Sequence, residues 1–270
     1  MPIQQHGALK DFFPYMWYHP KRESSKQSTM ETKAIILDKD GTLFPYTLWT
    51  VPVRAFLTSA LPLSCLEKER REKCISRFSE ILGLSEKGDV KMDGLFFRRN
   101  YLYSFPRLFF ASLSFRLSPF KVAKGLLKIG KRWEYGMTEA LEAYDFSSTR
   151  RLLDKAKKSN VKLALFTNDS PSSTEAFLKT FGEDYFSFLI NSSSPHHKPS
   201  VKTIEDFSLF SEVKPSEMAL ISDSSRDLRM GRKGGVGKLI GILGTEKKER
   251  LERYTSFVFP DIESALKSLI

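Results

Sequence analysis

Asp38 and Asp40 stand two residues apart at the end of the apolar run "AIIL", and three other segments place comparable groups beyond comparable runs. Thr167, Asn168 and Asp169 follow "KLALF", Asp223 and Asp227 follow "MALIS", and Lys198 lies on a loop beginning after "FSFLINSS". Apolar runs of this length, bounded by turn residues, read as buried strands. In an open parallel sheet, ligands bind outside the carboxyl ends of the strands, so these four segments are expected to converge. Clustered acids with a hydroxyl and a lysine suit a Mg2+ and phosphate site. Mg2+ prefers carboxylate and carbonyl oxygens and shares its shell with substrate phosphate.

Groups so dispersed can meet only if the elements between them return the chain each time to the same edge. The stretch "SSTRRLLDKAKKSNVKLALFTND" reads as a capped amphipathic helix, a turn at Ser159 and Asn160, and a strand from Val161 to Phe166. A first strand is expected over Ala34 to Leu37, and "EMALIS" and "GKLIGIL" supply others. Short apolar strands alternating with helices argue for a parallel sheet covered on both faces. Between Phe44 and Tyr144 the pattern changes: "CLEKERREKCISRFSEIL" and "PFKVAKGLLKIGKRWEYGMTEALEAY" are spaced as helices, with no comparable strand runs. The expected fold class is α/β, a doubly wound parallel sheet with an inserted all-helical domain. Its expected divisions are an N-terminal extension at 1–31, a core from 32–44 and 145–270, and the helical insert at 45–144. The segment "FFRRNYLYSFPRLFFASLSFRLSPF" mixes aromatics with arginines. It is expected to form the core of the insert with a basic rim, since such a domain must bury its own apolar face.

In this order, "DKDGT", "LFTN", "HKP" and "SDSSRDL" resemble the motifs of the haloacid dehalogenase superfamily of phosphatases, over Lys33 to Ile270. Phosphoglycolate phosphatase-like enzymes resemble the arrangement most closely. The resemblance implies a Rossmann-like catalytic core with the insert as a cap. Asp38 would be the nucleophile that takes the phosphoryl group, a known use of carboxylates. Asp40 would be the general acid and then the base, with its backbone carbonyl facing the metal. Thr167 and Asn168 would bind phosphate oxygens, and Lys198 would offset charge on both nucleophile and phosphate. Asp38, Asp40, Asp223 and Asp227 would form the Mg2+ side, with Asp223 as the direct ligand of the fourth motif. Gly41 would allow a sharp turn and Thr42 would support the loop. Two positions depart from the family pattern: Ser222 stands where glycine is common, and the third motif continues "KPSV". Neither removes a reacting group. The resemblance leaves room for a sugar-phosphate mutase using the same aspartyl-phosphate, and a basic module for nucleic acid or membrane is the alternative of a different class.

The remaining features point elsewhere. "RKGGVGKL" lacks the Ser or Thr that a P-loop places after its lysine and precedes a strand rather than a helix. It therefore reads as a turn with no nucleotide bound. His196 and His197 have no companion ligands nearby in sequence. Cys65 and Cys74, read as belonging to one helix, would lie about 13.5 Å apart, beyond the roughly 7 Å reach of a disulfide, so they read as reduced thiols in a cytoplasmic protein. No apolar run approaches the roughly 18 residues of a membrane span. The formal charge of +11 favours anionic partners, here a small phosphorylated substrate rather than nucleic acid or membrane, bound by a monomer or homodimer. Residues 1–29 read as an appendage whose removal would leave activity and stability intact.

Overall fold

The computed structural model describes residues 31–85, 101–127 and 137–270. The expected N-terminal appendage and parts of the aromatic segment and of the second helical stretch therefore lie outside the described residues. Six strands form one parallel sheet: β1 (Ala34–Asp38), β2 (Lys162–Phe166), β3 (Phe188–Ile190), β4 (Met218–Ser222), β5 (Lys238–Ile242) and β6 (Val258–Phe259), in the order β3-β2-β1-β4-β5-β6.

Side chains alternate across a strand, and here both faces are covered. Ile35 and Leu37 of β1, Leu163 and Leu165 of β2, and Ala219 and Ile221 of β4 enter one buried cluster; Ala34, Ile36, Ala164, Phe166, Met218 and Leu220 enter another on the opposite face. The interior positions of the central strands β1, β2 and β4 must therefore be apolar on both sides, which explains the runs in the sequence. The first face is covered by helices at Ser147–Lys158, Pro171–Phe181 and Ile262–Lys267, through Leu153, Phe177 and Leu266 among others. Helices at Lys202–Ser211 and Ser225–Lys233 cover the second through Phe207 and Leu228.

Between β1 and β2 lies a helical cap with a core of its own. Its helices α1 (Thr50–Ala60), α2 (Lys68–Leu82), α3 (Tyr101–Ser114) and α4 (Pro119–Leu126) bury a third cluster that includes Phe56, Leu57, Ile75, Phe78, Ile81, Ala111 and Val122. Cys74, Ile75, Phe78, Ile81 and Leu82 fall on one side of α2 by helical spacing. Two sequence expectations are corrected here. Cys65 ends a 3-10 turn at Leu63–Cys65, and extended backbone at Leu66 and Glu67 separates it from the helix holding Cys74; both thiols are free. The aromatic segment is only partly core. Leu108, Ala111 and Phe115 face the cap cluster, whereas Phe105, Phe109, Phe110 and Leu113 are exposed. Apolar residues surround α3, and a helix packed on one face can bury only those on that face.

Candidate active site

Register brings the predicted groups together. Asp38 pairs with Phe166 and Leu37 with Ile221, so Asp38, Thr167 and Ser222 leave the sheet at one edge. Asp38 is the hub. Its Oδ1 accepts from its neighbour, the Lys39 backbone N–H, at 2.7 Å and from Lys198 Nζ at 2.6 Å. Lys198 Nζ also donates to Asp227 Oδ2 at 2.7 Å. The Ser222 hydroxyl lies between the same two acids, 3.1 Å from Asp38 Oδ2 and 3.3 Å from Asp227 Oδ2. With one proton it donates to one of them at a time. Serine in place of the family's usual glycine thus adds a polar bridge between two carboxylates.

Asp40 lies in a separate polar nest. Trp49 Nε1 donates to its Oδ1 at 3.2 Å, from a short turn (Tyr46–Trp49) leading into α1. Lys39 Nζ is 3.1 Å from the same oxygen and 2.5 Å from Asp169 Oδ2. Lys39 has no exposed surface, and its ammonium lies 5.3 Å from the ring centre of Phe44 and 5.6 Å from that of Phe177, an arrangement in which ring faces attract a cation. Thr42 Oγ1 accepts the Asp223 N–H at 3.1 Å, tying the loop after β1 to that after β4. Asp223 Oδ2 accepts from the Thr245 N–H at 3.2 Å and from its hydroxyl. Gly41, at φ +75°, has no room for a Cβ, which would fall 2.3 Å from Asp223 Oδ2.

Burial raises all three acids above the ordinary carboxylate range. Asp38 reaches about 6, with Asp227 adding repulsion and Lys198 opposing it. Asp40 reaches about 7, held back by Lys39 and raised further by Asp169 and Asp38. Asp223 reaches about 8, raised by burial and by repulsion from Asp38 and held back by donation from Thr245. For Lys198, burial favours the neutral amine, yet Asp227 and Asp38 together raise its pKa, so it stays an ammonium.

Of the residues expected on the phosphate side, Thr167 is buried and accepts the Asp169 N–H at 3.2 Å, while Asn168 is exposed on the same loop. Asp227, expected on the metal side, is held by Lys198 and Ser222. Among the described residues, no three His, Cys, Asp or Glu side chains are gathered closely enough to hold an ion as they stand. The donor chemistry nevertheless suits Mg2+: Asp38, Asp40 and Asp223 are hard oxygen donors whose crowding in low dielectric calls for a cation. Sequence reasoning missed Lys39, Asp169 as its partner, Trp49 and Thr245. Only Lys39 had a visible signal, a lone cation between two acids.

A family model described as haloacid dehalogenase-like hydrolase matches residues 32–235. The chain belongs to that family. Structural similarity agrees with the assignment of this hydrolase. It resembles a protein described as a phosphatase from Clostridium difficile at 17% identity, covering 89% of this chain and 99% of that one with a TM-score of 0.59. A predicted phosphoglycolate phosphatase from Haemophilus somnus shares 17% identity over 90% and 100% of the two chains, TM-score 0.55. A protein described as a β-phosphoglucomutase from Thermotoga maritima shares 16% over 88% and 98%, TM-score 0.58. At these identities the hydrolase shares their fold. No curated protein sequence matches it.

Proposed function

We propose that this hydrolase is a Mg2+-dependent phosphatase acting on a small phosphorylated metabolite through an aspartyl-phosphate on Asp38. The observation that carries the reading is the separation of two acids at one strand end: Asp38 is held by Lys198, and Asp40 by Lys39 and Trp49. Asp38 contributes the attacking oxygen. Its contact with Lys198 keeps a positive charge beside the attacked group, a form of fixed electrostatic assistance on which phosphoryl transfer depends. Asp40, raised to about 7, can hold a proton near neutrality, give it to the departing alkoxide, and then take one from the water that attacks the aspartyl-phosphate. Thr167 and Asn168 would donate to phosphate oxygens. Asp38, Asp223 and the Asp40 carbonyl would hold Mg2+, which when bound offsets charge on the phosphate. A dehalogenase has no leaving alkoxide to protonate, so the polar nest around Asp40 favours phosphatase chemistry.

The test is a screen of purified protein against phosphorylated metabolites, reading free phosphate with Mg2+ and with EDTA. Release that requires both Mg2+ and Asp38 supports the proposal. Isomerisation of a sugar phosphate without phosphate release would instead make it a mutase, as one structural neighbour is described.

A further inference from the structure

We propose that the outer face of α3 and α4 docks on an anionic lipid surface. On α3, Phe105, Phe109, Phe110 and Leu113 follow helical spacing on the side opposite Leu108, Ala111 and Phe115, which face the cap cluster. Phe120 of α4 and Leu127, just past its end, lie opposite Val122 and Leu126. These outward residues are far from buried: Phe105 is 62% exposed, Phe110 67%, Phe120 79% and Leu127 86%. Phe109 and Phe110 touch edge to face, and folded chains seldom leave so many large apolar side chains in solvent on adjoining helices unless the surface binds something. The cap already has its own core, so this face is not needed for its stability.

Charge identifies the occupant. From Tyr101 to Leu127 the sequence has four Lys or Arg and no Asp or Glu. Of these, Arg116, Lys121 and Lys124 are exposed on the described helices or the turn between them. Phe and Leu interleaved with cations, without a single acid, match the boundary between acyl chains and anionic headgroups, where apolar insertion and electrostatic attraction act together. A nucleic acid would use the cations and could stack on Phe, but Leu113 and Leu127 have no ring face to offer a base. Among the described residues no helix is long and apolar enough to cross a membrane, so the attachment is at the surface.

The experiment uses the full chain, sedimented with vesicles of phosphatidylcholine alone or mixed equally with phosphatidylglycerol, beside duplex and single-stranded DNA and a measurement of oligomeric state. Binding is expected to the phosphatidylglycerol vesicles and to weaken with salt. The combined Phe105→Ser, Phe109→Ser and Phe110→Ser variant, checked for an unchanged melting temperature, should lose at least about tenfold in vesicle affinity. Lys121→Glu with Lys124→Glu should reduce the preference for phosphatidylglycerol while leaving the fold intact. No vesicle binding by the parent, or undiminished binding by the serine variant, overturns the proposal. So does a serine variant whose only change is a shift from dimer to monomer, or a loss of DNA binding.

Discussion

Lys39 and Asp169 form an ion pair at 2.5 Å in the interior, joining the residue between the two reactive acids to the loop that ends the next strand. Lys39 is fully buried and also serves Asp40 at 3.1 Å. Lys39→Met keeps the bulk but leaves the buried Asp40 and the partly buried Asp169 without their cation. Removing one partner of a buried pair typically costs about 3–5 kcal/mol. Urea unfolding should show a loss on that scale, and the same variant should turn over slowly because Asp40 loses the charge that holds its proton affinity near neutral. A stable and fully active Lys39→Met protein would remove Lys39 from the site.

The two acids should separate by kinetics. Asp38→Asn is nearly isosteric and retains the Lys198 contact with Asp227, yet an amide nitrogen will not attack phosphorus, so turnover should vanish while circular dichroism is unchanged. Asp40→Asn should lose about a hundredfold to ten-thousandfold, the usual scale of acid and base help. The loss should be smaller on p-nitrophenyl phosphate, whose leaving group needs no proton, than on an alkyl phosphate. Equal losses on the two substrates would contradict the acid role.

Stability should depend on pH in a direction set by the raised acids. Asp38, Asp40 and Asp223 lie at about 6, 7 and 8 when folded, against about 3.9 in an unfolded chain. Folding therefore favours their protonated forms; that contribution is full below about pH 4 and is lost as pH rises through the folded values. In EDTA the melting temperature should fall between about pH 5 and pH 8.5. Excess Mg2+ should raise it most at the alkaline end, where the carboxylates are ionised and free to bind. An equal gain at both ends would mean that the cation binds elsewhere.

The glycine-rich turn should be sensitive in its backbone and insensitive in its lysine. Gly235 has φ +75°, and a Cβ there would meet only Pro215 Cβ, at an ordinary 4.0 Å, so the main cost of Gly235→Val should be the strain of the left-handed region, about 1–2 kcal/mol. Gly237 has the opposite problem: a Cβ would fall 1.9 Å from the Ser216 carbonyl oxygen, which belongs to the backbone. Gly237→Ala should therefore force the chain to shift and lower the melting temperature. Lys238→Ala, at the start of β5, should leave turnover within a few fold, and calorimetry should find no Mg2+-nucleotide affinity in parent or variant. Tight nucleotide binding lost with Lys238 would restore the phosphate-cradle reading.

The sheet was legible in sequence because both its faces are covered, which forces the interior positions of β1, β2 and β4 to be apolar and leaves their polar ends conspicuous. The acids at those ends and Lys198 could be found for the same reason. Lys39 could not be placed, because an isolated lysine beside acids reads as solvated. Its burial depends on Phe44, Phe177 and Asp169, which only the folded chain assembles. Trp49 carried no signal at all, since its contact with Asp40 depends on how the first turn of the cap leaves the sheet. The exposed phenylalanines defeated pattern reading in a different way. A helix apolar on every side predicts burial, but it does not say which side has a partner.

The Lys198 contact with Asp38 spans 160 positions and the Ser222 contact with it spans 184. A ribosome releases Asp38 long before it makes either of the side chains, Lys198 and Ser222, that steady it. Until β4 (Met218–Ser222) emerges, the β1 segment is an apolar strand ending in acids that lacks at least one of its two neighbours in the sheet. The nest around Asp40 needs only residues up to Asp169, whereas the cluster around Asp38 is complete only with Ser222 and Asp227. Catalytic competence should therefore arrive in a single late event, and any truncation before β4 should yield a chain that depends on chaperones rather than a weaker enzyme.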